Sequence, residues 1–168
     1  MSQFKLVDDR FTTVEEDDDN YETPRELYRE LCVKYRIEPI TDVCADGTNS
    51  KCVNWITKEE NALLTEWLRT PKAPHDIWAN PPGSLQLKFI ERAESQYLKH
   101  NINILMIVPA NCVSTEVWHR LIEDKREHHA VKGRPIFLKN GRKTKFPSRN
   151  SYVCIVWRKK PTLGNKSP

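Results

Sequence analysis

The stretch Ile77-Trp78-Ala79-Asn80-Pro81-Pro82-Gly83-Ser84 decides how this chain is read: an apolar, strand-like run stops abruptly at an amide side chain followed by two prolines. Proline has a fixed φ and no backbone N–H, so the carbonyl and side chain of Asn80 and the carbonyl of Pro81 are presented as stiff acceptors. Two such acceptors suit the hydrogens of an amine. An aromatic amine is a poor nucleophile because its lone pair is delocalised into the ring, and acceptors on its hydrogens favour the pyramidal form that can attack an activated methyl group. The simpler reading of the same residues is a rigid Pro-Pro turn.

Working outward, helix and strand signals alternate. The spacing of Phe89 or Ile90, Ala93 and Tyr97 predicts a helix over 85–99, and Ile102 to Val108, the most apolar run of the chain, predicts a central buried strand. Residues 114–122 read as a helix capped by Ser114 or Thr115. Upstream, Thr23-Pro24-Arg25-Glu26 reads as a helix start with Thr23 as N-cap, Pro24 first in the helix and Glu26 completing a capping box. Leu27, Leu31 and Tyr35 give that helix an apolar stripe. Ile40 to Cys44 and His75 to Ala79 read as strands, Thr57 with Glu60 as a second capping box before a short helix, and Val131 to Leu138 and Ser151 to Trp157 as late antiparallel strands. The order predicts an α/β sandwich with parallel central strands and a late antiparallel hairpin.

At 168 residues the chain is sized for one domain. The expected organisation is a flexible acidic arm over 1–20, a single domain over 21–160 and a flexible tail over 161–168. The five cysteines are widely spaced and form no CxxC pair, so reduced core thiols are expected, with neither disulfides nor a structural zinc. No apolar run approaches the ~20 residues of a membrane span and the start lacks the apolar core of a secretion signal, so an intracellular protein with no membrane partner is expected.

The formal net charge of +4 conceals a division: residues 120–168 carry fourteen Lys and Arg against three acids. Lys139, Arg142, Lys143, Lys145 and Arg149 cluster around Asn140-Gly141, a turn-forming pair, which places them on one exposed loop able to grip phosphates. A solvated, solubilising loop is the alternative.

In an α/β sheet, ligands gather at the carboxyl ends of the strands. There the strand ending at Cys44 runs into Asp42-Val43-Cys44-Ala45-Asp46-Gly47-Thr48-Asn49, whose acids and amide suit the ammonium and ribose hydroxyls of an aminoacyl-nucleoside cofactor. An ordinary Asp-Gly turn fits the same residues.

Tyr21-Glu22-Thr23-Pro24 with Glu26-Leu27, Asp42-Val43-Cys44-Ala45-Asp46 with Asn49 and Cys52, Trp78-Ala79-Asn80-Pro81-Pro82, and Val108-Pro109-Ala110 followed by Trp118-His119 together resemble the phage-type DNA N6-adenine methyltransferases. Gly133-Arg134 with Phe137, and Pro147 with Ser151, continue the resemblance, which spans about residues 21–157. It implies a Rossmann-like methyltransferase fold, S-adenosylmethionine as methyl donor and adenine in DNA as acceptor. By that resemblance Asn80, Pro81, Pro82 and Gly83 form the catalytic turn. Tyr21, Thr23, Pro24, Asp42, Cys44, Asp46, Asn49 and Asn80 border the cofactor, with Asp42 and Asp46 on its methionine and ribose side.

The chain departs from the family in two places. It lacks the glycine-rich first loop of larger methyltransferases, and Gly83 stands where the family has an aromatic that stacks on the extruded base. Trp78 and Trp118 are candidate substitutes. Three alternatives stand beside adenine N6 methylation: transfer to cytosine N4, a methyltransferase of RNA or a small molecule, and a catalytically lapsed relative that binds nucleic acid through its basic loop.

Overall fold

The computed structural model describes residues 21–69 and 75–161; the expected arm lies outside them, as does the expected tail apart from Pro161. The elements are α1 (Arg25–Tyr35), β1 (Thr41–Asp42), β2 (Asn54–Trp55), β3 (Ile77–Ala79), α2 (Gln86–His100), β4 (Ile104–Pro109), α3 (Glu116–Leu121), β5 (Glu127–Ala130), β6 (Leu138–Lys139), β7 (Arg142–Lys143) and β8 (Tyr152–Trp157). Six strands form one sheet in the order β2-β1-β3-β4-β8-β5, while β6 and β7 form a separate ribbon. The first four strands are parallel, and β8 runs antiparallel between β4 and β5.

Alternation along the strands divides the core. Ile104, Met106 and Val108 of β4 and Val153, Ile155 and Trp157 of β8 face Phe89, Ile90, Ala93 and Tyr97 of α2 and Trp118 of α3. Leu105, Ile107, Cys154 and Val156 face Tyr28, Leu31 and Tyr35 of α1. Every residue of β3, β4 and β8 is buried, as expected for a sheet covered on both faces.

Several local expectations are overturned by tertiary contacts. Thr23 does not cap α1: the helix begins at Arg25 with no side-chain cap, and the Thr23 hydroxyl accepts instead from Asn80 Nδ2. At 57–60 the reciprocal box does form, Glu60 accepting from the Thr57 N–H and Thr57 from the Glu60 N–H, yet no α-helix follows. Asn61 turns the chain at φ 56, and fully buried Trp67, bonded through its ring N–H to the Ala62 carbonyl, is drawn into the core. The strand expected over 131–138 lies earlier, at Glu127–Ala130, because Pro135 cannot donate to a ladder and the chain leaves the sheet after Val131 bonds to Tyr152. The hairpin forms instead as the β6–β7 ribbon, with Asn140 and Gly141 at φ 52 and 71, both positive as a tight two-residue turn requires.

The antiparallel insertion has a topological consequence. β5 runs with the parallel strands and β8 against them, so the chain between them leaves and returns at the carboxyl ends of β3 and β4. Ala110, just past β4, donates to the Ser151 carbonyl at 2.8 Å. The basic ribbon therefore stands on the edge of the sheet that carries Asn80.

Candidate active site

Asn80 follows Trp78 by two residues and so turns toward the face covered by α1. Its side-chain nitrogen donates to the Tyr21 carbonyl at 3.1 Å and to the Thr23 hydroxyl at 3.0 Å. A carbonyl can only accept, so the Tyr21 contact fixes which end of the amide faces the segment ahead of α1. Asn80 Oδ1 is thereby turned away, and no described residue donates to it. The Pro82 carbonyl accepts from Leu85 N–H at 2.9 Å as Gly83–Leu85 winds one 3-10 turn into α2. The Pro81 carbonyl takes no hydrogen bond from a described residue.

The turn after β1 behaves in the opposite way. Asp42 is only 3% exposed, and its carboxylate accepts from the backbone N–H groups of Cys44 and Lys51, each at 3.1 Å. Burial pushes its pKa up to about 6, against the pull of those two N–H bonds and the Lys51 charge. Asp46 Oδ1 accepts from the Thr48 N–H and hydroxyl and from the Asn49 N–H, while Asn49 Oδ1 accepts from the Asp46 N–H. The Thr48 contacts hold the exposed Asp46 carboxyl below its usual range. Cys44 sits between the two turns: the Asn80 backbone N–H donates toward its sulfur, and burial pushes its thiol pKa well up.

Tyr21, Thr23, Cys44 and Asn80 are thus brought together, with Pro24 leading into α1 and Asp42 bonded to the backbone beside Cys44. Asp46 and Asn49 occupy the outer part of the same loop. Trp55, at the carboxyl end of β2, completes this side and was not foreseen. Its ring lies over Gly47, where a Cβ would come within 3.3 Å of it. Its sequence signal was slight, a lone aromatic in a two-residue strand.

Neither candidate substitute for the missing aromatic serves. Trp78 is 1% exposed and packs edge-on against Tyr28, and Trp118 is 3% exposed and packs edge-on against His128. Both belong to the core.

Arg142, Lys143, Lys145 and Arg149 are exposed and form no ion pair among the described residues, and Lys139 is half-buried. The ribbon is fastened to the site. Glu22 and Leu138 exchange backbone hydrogen bonds of 2.8 and 2.9 Å, the Glu22 carboxylate accepts from the Gly141 N–H at 3.2 Å, and the Tyr21 ring lies 6.3 Å from that of Phe137. Residues 21–23 therefore hold the ribbon on one side and the Asn80 amide on the other.

Compared with known families, residues 10–164 match the DNA N-6-adenine-methyltransferase (Dam) family. The chain belongs to this family. It is also 33% identical over 96 residues to the DNA N-6-adenine-methyltransferase of Haemophilus phage HP1 (strain HP1c1). That match covers 57% of this chain and 53% of the phage protein, so it spans about half of the curated relative. The fold agrees: the four parallel strands and the inserted antiparallel β8 form a Rossmann-like methyltransferase sandwich. Among the described residues no helix is long and apolar enough to cross a membrane.

Proposed function

We propose that this member of the Dam family methylates the exocyclic N6 amine of adenine in DNA, with S-adenosylmethionine as donor. The observation that carries the reading is the Asn80 amide, oriented by the Tyr21 carbonyl and Thr23 hydroxyl so that its oxygen, beside the Pro81 carbonyl, faces away from them and takes no hydrogen bond from a described residue.

The donor set suits the cofactor. The outer oxygen of exposed Asp46 suits ribose hydroxyls or an ammonium, buried Asp42 holds the loop backbone in shape, and Trp55 offers an apolar ring. Tyr21, Thr23, Pro24, Cys44 and Asn49 border the same space. When bound, S-adenosylmethionine supplies an electrophilic methyl group. The chain's own contribution is positioning. Asn80 Oδ1 and the Pro81 carbonyl each accept one amine hydrogen, which draws the nitrogen toward the pyramidal geometry in which its lone pair can form the new N–C bond. Both protons donated by Asn80 are engaged, so its carbonyl is polarised and its torsion fixed before substrate arrives. The amine becomes strongly acidic on alkylation and loses a proton to water, so no strong base is required.

The target amine is out of reach in a stacked duplex, so the base must be extruded. Arg142, Lys143, Lys145 and Arg149, with Lys139, would hold the flanking phosphates.

A competition between acceptors tests the reading. Purified protein with radiolabelled S-adenosylmethionine should label duplex DNA in preference to RNA or free adenosine. Label appearing in RNA or nucleoside alone would overturn it.

A further inference from the structure

The missing ring at Gly83 directs attention to aromatics elsewhere. Of the Phe, Tyr and Trp rings among the described residues three are exposed, Tyr21, Trp55 and Phe146, and the others are buried. All three stand on the carboxyl edge of the sheet: Tyr21 by its carbonyl on Asn80, Trp55 as the last residue of β2, and Phe146 in the stretch between β5 and β8. They are not equivalent. Tyr21 lies beside Phe137 and Trp55 lies over Gly47, so both have places in the walls of the site. Phe146 is 69% exposed, and its ring contact is the Lys145 ammonium 5.4 Å from the ring centre.

We propose that Phe146 is a wedge that enters the DNA duplex and fills the space vacated by the extruded adenine. The inference rests on the proposed function and names the device that would carry out its extrusion step. An unstacked base leaves a gap between base pairs, and an apolar ring inserted there restores stacking that the duplex has lost.

Phe146 has three properties such a wedge needs. It is flanked by Lys145 and Arg149, which would grip phosphates on either side of the insertion point. It is carried on a stiff loop: Thr144 N–H donates to the Phe137 carbonyl at 3.0 Å, the Thr144 hydroxyl to the Phe146 carbonyl at 2.9 Å, and Ser148 N–H to the Pro135 carbonyl at 2.8 Å, with Pro147 fixing the next φ. Insertion then orders little that is not already ordered. The loop also belongs to the segment that the Glu22 contacts fasten to Asn80, so the wedge and the amine-holding turn share one frame.

The test compares extrusion that is difficult with extrusion that is easy. Wild type, Phe146→Ala and Phe146→Trp of the full chain are assayed in single turnover on duplexes carrying the adenine context read from methylated DNA of expressing cells. The target is paired with thymine in one duplex and faces an abasic site in the other. Phe146→Ala is expected to lose tenfold or more on the paired duplex, to stay within about twofold of wild type on the abasic one, and to be rescued by Phe146→Trp. An equal loss on both duplexes would place the ring in the base pocket or the fold and overturn the wedge, as would no loss on the paired duplex. Those results leave the methyltransferase reading intact, because wild type is then active. If expressing cells contain no methylated adenine, both proposals fall.

Discussion

The two turns that flank the site use their hydrogen-bonding capacity in opposite ways. After β1, the loop from Asp42 to Lys51 is closed on itself: Asp42, Asp46 and Asn49 accept from the backbone of their own loop. After β3, Asn80 donates outward to a segment nearly sixty positions away in sequence, and no described residue donates to its oxygen or to that of Pro81. A loop that satisfies itself is a shape, whereas acceptors that no described residue satisfies are, on the proposed reading, open to a substrate amine. The first turn should therefore govern stability and cofactor binding, and the second should govern rate.

The sharpest way to break this contrast is Asn80→Ala. Loss of one transition-state acceptor should lower methyl transfer a hundredfold or more, about 3 kcal/mol, while cofactor affinity by calorimetry changes little. A variant that lost cofactor binding and rate together would erase the distinction between the turns.

Asp42→Ala should show the reverse pattern. It strands the buried N–H groups of Cys44 and Lys51, and relief of the burial penalty on the carboxylate offsets part of that, so a stability loss of about 1–3 kcal/mol is expected by thermal melting, with weaker cofactor binding. The same carboxyl sets a pH dependence. Its folded pKa, about 6, lies above the usual carboxylate value, so the folded state holds this proton the more tightly. The resulting stabilisation is complete below about pH 4 and is lost as pH rises through about 6. Melting curves of Asp42→Asn should lack that component.

Replacing Arg142, Lys143 and Lys145 together by Ala probes a third region. If each contacts a phosphate, the slope of log affinity against log salt should flatten by roughly two to three units for duplex DNA, with sequence preference little changed. Fluorescence anisotropy reads this directly, and identical slopes would return these residues to a solvated surface. The smallest effect is expected of Thr23→Val, which removes one of the two acceptors on Asn80 Nδ2 and leaves the Tyr21 carbonyl to orient the amide. About tenfold in rate or less should be lost, without a fall in cofactor affinity.

Legibility in the sequence followed range. α2, β4 and β8 were readable because each is long and strongly patterned, and the Asn80 turn because proline chemistry acts on the adjacent residue. The two-residue β2 carried no pattern, so Trp55 was missed. Thr57 and Glu60 formed their box without a helix because Trp67 had a place in the core. Thr23 carried the right signal for a cap and performs another task, since its partner Asn80 is remote in sequence. Burial of Trp78 and Trp118 follows from packing partners that no local pattern reveals.

The central proposal is that Asn80 Oδ1 and the Pro81 carbonyl hold an adenine amine for methylation. Mass spectrometry of nucleosides from the DNA of cells expressing wild type or Asn80→Ala tests it most directly. N6-methyladenine should appear with wild type and fall to background with the variant. Methylation at cytosine N4 in its place, or N6-methyladenine undiminished in the variant, would contradict the account.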